Sequence, residues 1–234
     1  MSLVKRGFLV ILVIIQINSF SQGFRLDDPN LIFKDKNGKV LPVDSVRKIA
    51  ARGPFSTQQN PLGDGKSEVI IVPMSSLDLK NAVSRRTNAE VSWTGKAFPN
   101  FELTTLKGKT LKRTDIEGKV TVINFWFIGC QPCLQEIPKL NGVVSSLNNY
   151  KNSLQFIAPS LDGKEALIKF SAKRTFDYTI LSDANLLAQQ MQINSFPTHM
   201  ILDRKGIVRQ MITGASDDIG DKLKSAIKGV LEEK

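Results

Sequence analysis

The hydrophobic pattern changes character near Gly95 of the 234-residue chain. From there on, short apolar runs alternate with segments whose apolar residues recur every three or four positions, which is the pattern of alternating strands and helices. The largely apolar run Val120–Phe127 predicts a central strand buried on both faces. The next segment predicts a helix over residues 131–147. Its apolar face comprises Leu134, Ile137, Leu140, Val144 and Leu147.

The rest of residues 95–234 completes an α/β domain. Further strands are predicted at residues 111–114, 154–157 and 178–181, further helices at 164–173 and 184–191, and a hairpin from 198–203 and 207–212. A final helix is predicted to be capped by Ser216, because serine is a favoured N-cap residue.

Residues 22–94 form a separate accessory segment whose role the sequence does not indicate. A hairpin turn is predicted at Asn37-Gly38, a short helix from about Asp44, and a strand at Val69–Val72. The stretch Gly53–Ser67 is rich in glycine, proline and polar residues, which predicts a loop. No motif in this segment carries chemistry.

The N-terminus has the layout of a secretory signal peptide. Lys5 and Arg6 precede the apolar run Phe8–Ile15, and small residues follow up to Ser21. Cleavage after about Ser21 would leave a periplasmic or otherwise extracytoplasmic protein. The alternative is an uncleaved membrane anchor, although the apolar run is shorter than the roughly 20 residues that span a bilayer.

The formal net charge is +10, but the basic residues are scattered among acidic ones. Proteins that bind nucleic acid usually concentrate their positive charge on one face. We therefore interpret the charge as a solvated basic surface, and we expect no nucleic-acid partner.

The two cysteines of the chain, Cys130 and Cys133, form a CxxC pair. A structural zinc site needs about four ligands, and His199 is the single histidine that could join them. Haem attachment needs a histidine after the second cysteine, where this chain has Leu134. We therefore expect no metal and no cofactor. A structural disulfide stays open, although closing so short a loop removes little chain entropy.

Redox catalysis has a physical basis at this position. Cys130 lies where the buried strand is predicted to end and the helix to begin, so it faces unpaired backbone N–H groups and the positive end of the helix dipole. This environment should stabilise the thiolate and lower the pKa of Cys130 below about 8.5. Cys130 is the predicted nucleophile, and the less exposed Cys133 would resolve a mixed disulfide. Pro132 suits the first helical turn.

The segment NFWFIGCQPCLQEIPKLN, residues 124–141, resembles the active-site segment of TlpA/ResA-like thiol-disulfide oxidoreductases of the thioredoxin superfamily. Gly95–Trp126 resembles the N-terminal strands of that family, and Ile193–Val208 resembles its cis-proline loop, strand and hairpin. The extra strand and helix between them are similar to the family's insertion. The resemblance implies a thioredoxin-like fold with a TlpA/ResA-type αβ insertion.

The resemblance also implies site residues. Pro197 would be the cis proline lying against a Cys130–Cys133 disulfide, and Phe196 precedes it where the family more often has a small or β-branched residue. Glu136 matches the family's active-site glutamate, which would exchange protons with the Cys133 thiol. The alternative is a solvated glutamate that only complements the helix dipole.

Four residues are assigned to substrate contact: Trp126, Gln131, Pro132 and Phe196. Trp126 is placed at the rim of the site, with a core position as the alternative. His199 is interpreted as a structural strand histidine.

The expected function is an exported thiol-disulfide oxidoreductase that reduces or exchanges disulfides in envelope proteins, with cytochrome c maturation as one setting. Its partners would be protein dithiols and disulfides, and a membrane thiol electron donor, because the exported compartment is oxidising. The alternatives are a DsbA-like oxidase or isomerase and a non-enzymatic envelope binding module. A peroxidase is disfavoured because the chain has no cysteine outside the CxxC pair.

Overall fold

The computed structural model describes residue 26 and residues 28–52, 55–63 and 66–233. The predicted signal peptide, residues 1–21, lies outside them. No helix within the described ranges has the length and apolar character needed to cross a bilayer. The chain divides into two compact units, residues 1–82 and 83–234, whereas the sequence pattern changes near residue 95.

The first unit contains a three-stranded sheet and a helix. Its elements are β1 (Leu31–Asp35), α1 (Val43–Arg52), β2 (Phe55–Gly63) and β3 (Lys66–Pro73). The strand order is β1-β3-β2, with β1 parallel and β2 antiparallel to β3. The small core of this unit comprises Phe33, Val46, Phe55, Val69 and Ile71.

The turn predicted at Asn37-Gly38 is present, but it does not close a regular hairpin. Gly38 has φ +84° and donates its N–H to the Asp35 carbonyl at 3.0 Å. After the turn, only an isolated bridge joins Lys34 to Val40. The main-chain partner of β1 is therefore β3, which lies much later in the sequence.

The prediction of a loop over Gly53–Ser67 was wrong for the part that the structure describes, whereas residues 53, 54, 64 and 65 lie outside it. Strand β2 occupies Phe55–Gly63, and β3 already begins at Lys66. Strand β2 lies at the edge of the sheet, where polar residues are tolerated. Pro61 is tolerated there as well, because one side of an edge strand needs no N–H donor.

A helix that the sequence pattern did not predict, α2 (Ser76–Trp93), crosses from the first unit into the second. Its apolar residues do not recur in one stripe, so the periodicity gives no signal. The N-terminus of α2 does carry a local signal. Ser75 Oγ accepts the Asp78 N–H at 3.1 Å, and Asp78 Oδ2 accepts the Ser75 N–H at 3.0 Å, which is a reciprocal cap.

The second unit is built around a five-stranded mixed sheet of order β10-β9-β6-β7-β8. Strands β6, β7 and β8 are parallel, whereas β9 is antiparallel to β6 and β10 to β9. Its elements are β4 (Glu102–Thr104), β5 (Thr110–Lys112), β6 (Val120–Phe125), α3 (Gln131–Ser146), β7 (Leu154–Pro159), α4 (Lys164–Ser171), β8 (Thr179–Leu181), α5 (Asn185–Gln190), β9 (Thr198–Leu202), β10 (Val208–Thr213) and α6 (Ile219–Glu232). The predicted strand at residues 111–114 is shorter, because Arg113–Ile116 form a 3-10 turn.

Strand β6 is central and buried over its full length, as predicted. On one face of the sheet, Val120 and Val122 pack in a core with residues of α3 and α6, such as Leu140 and Leu223. On the other face, Ile123 packs in a second core with residues of α5. Because helices or loops cover both faces, only the ends of β6 can approach the surface.

The predicted cap of the last helix was wrong. Helix α6 begins at Ile219, and no side chain caps its N-terminus. The Ser216 N–H instead donates to Glu136 Oε1 at 2.8 Å. The loop before α6 is therefore tied to α3.

The hairpin between β9 and β10 turns at Gly206, which has φ +71°. A side chain is disfavoured there for two reasons. Residues other than glycine rarely adopt positive φ. In addition, a Cβ at this position would lie 2.5–2.7 Å from the guanidinium group of Arg113. Arg113 is fixed in turn, because its Nε donates to the Phe98 carbonyl at 3.0 Å.

We expect Gly206→Ala to destabilise the second unit by about 1–3 kcal/mol more than Gly118→Ala. Gly118 is a matched control, because its φ is +79° but a Cβ there would meet nothing within 4 Å. Urea unfolding followed by tryptophan fluorescence measures this, since Trp93 and Trp126 both belong to residues 83–234. Equal destabilisation by the two variants would contradict the role of the Arg113 contact.

Candidate active site

The loop that leads from β6 into α3 is fixed by the neighbouring loop after β7. The Trp126 N–H donates to the Pro159 carbonyl and the Trp126 carbonyl accepts the Leu161 N–H, both at 3.2 Å. The Ile128 N–H donates to Asp162 Oδ2 at 2.7 Å, and Ser160 Oγ donates to the same oxygen at 2.9 Å. These contacts set where the chain enters α3.

The two cysteines form a disulfide at this entry. Cys130 is the N-cap residue of α3, and its Sγ accepts the Cys133 backbone N–H at 3.3 Å. Each cysteine is only 1% exposed, so the predicted difference in exposure is not present in the disulfide form. The hydrogen bond to Cys130 Sγ is the contact through which the helix N-terminus would stabilise a thiolate.

The two residues between the cysteines differ in exposure. Gln131 is exposed and Pro132 is partly exposed, and both lie in the first turn of α3. Because a proline in the first turn sacrifices no helical hydrogen bond, Pro132 leaves the turn intact.

The Phe196–Pro197 peptide bond is cis. Pro197 is buried, and its carbonyl accepts the Gly214 N–H at 2.7 Å. The ring of Phe196 is partly exposed and meets Phe127 edge to face, with ring centroids 5.4 Å apart. Both rings pack against the core cluster that contains the two cysteines.

Trp126 lies in the core instead of at the predicted rim. Its side chain is 0% exposed and packs against Phe170 and Phe176, with ring centroids 5.1 and 5.4 Å away. The reason is the register of β6, which directs Trp126 to the same face as Val122. In this structure the indole offers no surface to a substrate.

Glu136 is buried and paired with a histidine. The residue is 3% exposed, and its Oε2 lies 3.0 Å from His199 Nε2, while its Oε1 accepts the Ser216 N–H. Because Cys133 and Glu136 are three residues apart, they share one side of α3. The alternative of a solvated glutamate is therefore wrong, because this carboxyl group is enclosed.

Sequence reasoning missed two neighbours of this pair, Asn124 and Tyr178. Asn124 pairs with His199 in the register of β6 and β9, so both side chains project to one face of the sheet. Burial, and to a smaller extent the Glu136 carboxyl group, raises the pKa of Tyr178. Within the described residues, the side-chain oxygens of both residues and His199 Nδ1 are buried without hydrogen-bond partners.

Few local sequence signals mark this cluster, because its members lie on separate elements. Asn124 interrupts the apolar run of β6, and such a buried polar residue is the one available hint. Across the ranges that the structure describes, no three His, Cys, Asp or Glu side chains form a group that could hold a metal ion.

Comparison with protein families matches residues 94–211 to the AhpC/TSA family. Among individual proteins, the thioredoxin-like protein YneN of Bacillus subtilis is 30% identical over 124 residues, which cover 51% of this chain and 71% of YneN. The thiol:disulfide interchange protein DsbE of Pseudomonas fluorescens is 30% identical over 149 residues, covering 59% of this chain and 78% of DsbE.

Solved structures support the fold. A candidate thiol:disulfide interchange protein DsbE from Chlorobium tepidum matches with a TM-score of 0.55 at 25% identity, covering 59% of this chain and 97% of that chain. The thioredoxin domain of a thiol-disulfide oxidoreductase from Bacteroides vulgatus matches with a TM-score of 0.51 at 22% identity, covering 57% and 97%. The thioredoxin-like fold predicted from the sequence is confirmed.

The raised pKa of Tyr178 predicts an alkaline loss of stability. In the unfolded chain the phenol ionises near its ordinary pKa of 10.0, whereas the folded protein keeps it protonated to higher pH. The contribution is therefore fully present below about pH 10 and is lost as the pH rises towards the folded pKa, by at most about 1.4 kcal/mol per pH unit. Tyr178→Phe should remove this slope.

Urea unfolding at about pH 9 and about pH 11 measures the slope, with the exposed Tyr150 changed to Phe as the control. We expect Tyr150→Phe to keep the wild-type slope. An identical slope in Tyr178→Phe and the wild type would show that the phenol ionises normally in the folded protein.

Proposed function

The chain belongs to the AhpC/TSA family and shares the thioredoxin-like fold of thiol-disulfide oxidoreductases, and from this premise we propose that it is an exported enzyme that reduces or exchanges disulfides in envelope proteins. The observation that carries the proposal is the buried Cys130–Cys133 disulfide at the N-terminus of α3, with the Cys133 N–H directed at Cys130 Sγ. The site has a sulfur that the helix can stabilise as a thiolate and a second sulfur within reach of it.

The proposed reaction begins from the reduced pair. The Cys130 thiolate attacks one sulfur of a substrate disulfide, a Cys130–substrate bond forms, and the other substrate sulfur leaves as a thiolate that takes a proton from solvent. Cys133 then gives its proton to Glu136, and its thiolate attacks Cys130 Sγ. The second substrate sulfur leaves, so two electrons pass to the substrate and the enzyme ends as the disulfide.

The apolar surroundings of the disulfide support a role for Phe196 in substrate contact. Phe196 and Phe127 form a partly exposed pair beside the cysteine core, and Gln131 and Pro132 are the neighbouring accessible residues of α3. A substrate segment reaching Cys130 would meet these side chains first. The cis Pro197 follows Phe196 and has no N–H of its own to donate to that segment.

Export supplies the setting for reduction. The N-terminal residues have the composition of a signal peptide, and the compartment beyond the membrane is oxidising. A reductase there must be recharged, so we include a membrane thiol electron donor among its partners. Cytochrome c maturation is a process in which such a reductase would act.

Trapping with Cys133→Ala tests the proposal. This variant keeps Cys130 but cannot resolve the mixed disulfide, so we expect Cys130 to form lasting bonds, reversed by dithiothreitol, with a few envelope proteins. Cys130→Ala, which keeps Cys133, is the matched control and should trap none. If Cys133→Ala traps no protein and the wild type does not reduce insulin, the protein is not an oxidoreductase.

Equilibration with glutathione measures the reduction potential of the Cys130–Cys133 pair, and this potential indicates the direction of electron flow. A reductase should have a potential closer to the roughly −270 mV of thioredoxin than to the roughly −120 mV of DsbA. A value near that of DsbA would assign the protein to disulfide formation instead. If a strain that carries the Cys130→Ser substitution shows no defect, the result would favour the alternative of a non-enzymatic envelope binding module.

A further inference from the structure

A group of buried polar side chains lies on the sheet face covered by α3 and α6. It comprises Asn124, Glu136, Tyr178 and His199, each at most 4% exposed. The surrounding side chains are apolar and belong to the same core as the two cysteines. An ionised carboxyl group is costly in such a place unless hydrogen-bond donors compensate for the water it has lost.

Two nitrogen atoms contact the Glu136 carboxyl group, one at each oxygen. The Ser216 N–H donates to Oε1 at 2.8 Å, and His199 Nε2 lies 3.0 Å from Oε2. The first contact comes from a backbone N–H in the loop before α6, which any residue there except proline would supply. The second contact depends on the side chain at position 199. Both contacts compensate the carboxyl group for hydrogen bonds to water that it has lost on burial.

The surroundings of the imidazole indicate its tautomer. Nε2 faces the carboxylate, whereas Nδ1 has no partner within the described residues. A neutral ring with its proton on Nε2 satisfies the contact with Glu136, whereas a proton on Nδ1 would place the Nε2 lone pair against a carboxylate. With Glu136 as a carboxylate, His199 would therefore be the donor and Glu136 the acceptor.

We propose that His199 is a positioning residue for the redox reaction: it holds the Glu136 carboxylate in the form that takes the proton from Cys133 while the mixed disulfide is resolved. The inference rests on the proposed function. The proton leaves Cys133 Sγ for Glu136, the resulting thiolate attacks Cys130 Sγ, and the substrate thiolate leaves. His199 donates the same Nε2–H throughout and is neither oxidised nor reduced.

The other groups around the pair do not replace this donor. Tyr178 and Asn124 have side-chain oxygens without hydrogen-bond partners in the described chain, and burial keeps the Tyr178 phenol protonated and uncharged. On α3, the exposed Lys139 is directed at Asp217 instead, 3.4 Å away. Of the described lysines and arginines, none forms an ion pair with Glu136, so loss of His199 leaves one backbone donor.

The resolving step can be isolated with dithiobis(nitrobenzoate) in a stopped-flow experiment on the reduced protein. Attack by Cys130 releases the first nitrothiobenzoate, and attack by Cys133 on the mixed disulfide releases the second. The rate of the second release is measured against pH. Variants are His199→Leu, which removes the donor, His199→Gln, which keeps an N–H donor, and Tyr178→Phe as a buried control that removes an oxygen without a partner.

We expect His199→Leu to move the midpoint of this pH profile upwards by about 1–2 pH units, the loss expected for a hydrogen bond to a buried charged group. His199→Gln should restore most of the shift, and Tyr178→Phe should leave the midpoint in place. In a Glu136→Gln background, His199→Leu should cause no further shift, because the carboxylate it positions is absent.

An unmoved midpoint in a folded His199→Leu protein overturns the inference, and so does a shift in His199→Gln as large as that in His199→Leu. If the wild type releases no second nitrothiobenzoate, the proposed function fails and the inference fails with it. If the wild type releases the second nitrothiobenzoate but the midpoint of His199→Leu is unmoved, only the role of His199 is overturned.

A second measurement does not depend on the folding of a His199 variant. His199 is the single histidine of the chain, so nitrogen NMR of a tag-free protein reports on this ring without competing signals. We expect the wild type to show a neutral ring protonated on Nε2, with that signal moved in Glu136→Gln. A ring protonated on Nδ1 in the wild type would contradict donation to Glu136.

Discussion

The site depends on the junction where a fully buried strand ends and a helix begins. Residues 120–125 of β6 are enclosed by β7, β9 and the two cores, so the strand cannot shift without exposing apolar side chains. Contacts of Trp126 and Ile128 with the loop after β7 then fix the path into α3. As a result, Cys130 is held at the one place where the helix presents unpaired N–H groups.

The same geometry encloses an acid on the side of α3 that carries Cys133. The helical repeat puts Glu136 on the side of Cys133, and the sheet brings His199 and Asn124 up to that side from β9 and β6. The N-terminus of α3 can stabilise charge on Cys130, whereas Cys133 has the buried carboxyl group of Glu136 on its own side of the helix. The two cysteines thus differ in their electrostatic surroundings although both are 1% exposed.

The sequence predicted the elements whose signal is local. The apolar run of β6, the periodicity of α3 and the CxxC motif each lie within a few adjacent residues. Strand β2 and helix α2 were missed because an edge strand tolerates polar residues, and because α2 lacks a single apolar stripe. The pairing of Glu136 with His199, 63 residues apart, depends on tertiary packing, which neither periodicity nor spacing encodes.

Compared with the sequence prediction, the site in the structure includes additional buried residues and does not include Trp126, which was expected at its surface. Trp126 lies in the core because the strand register turns it away from solvent, and Ser216 contacts Glu136 because α6 begins at Ile219. Both differences follow from where an element starts or ends, which is the least certain part of any sequence pattern. The placement of Cys130 and Cys133 was not affected, because it follows from the motif itself.

The pH dependence of Cys130 alkylation in the reduced protein tests the central physical claim most directly. Iodoacetamide labelling of the Cys133→Ala variant, quantified by mass spectrometry, gives the thiol pKa of Cys130 without competition from the second sulfur. If the helix N-terminus stabilises the thiolate, half-maximal labelling should occur at least about one pH unit below the free-cysteine value of about 8.5. A midpoint at or above about 8.5 would contradict this account of the site.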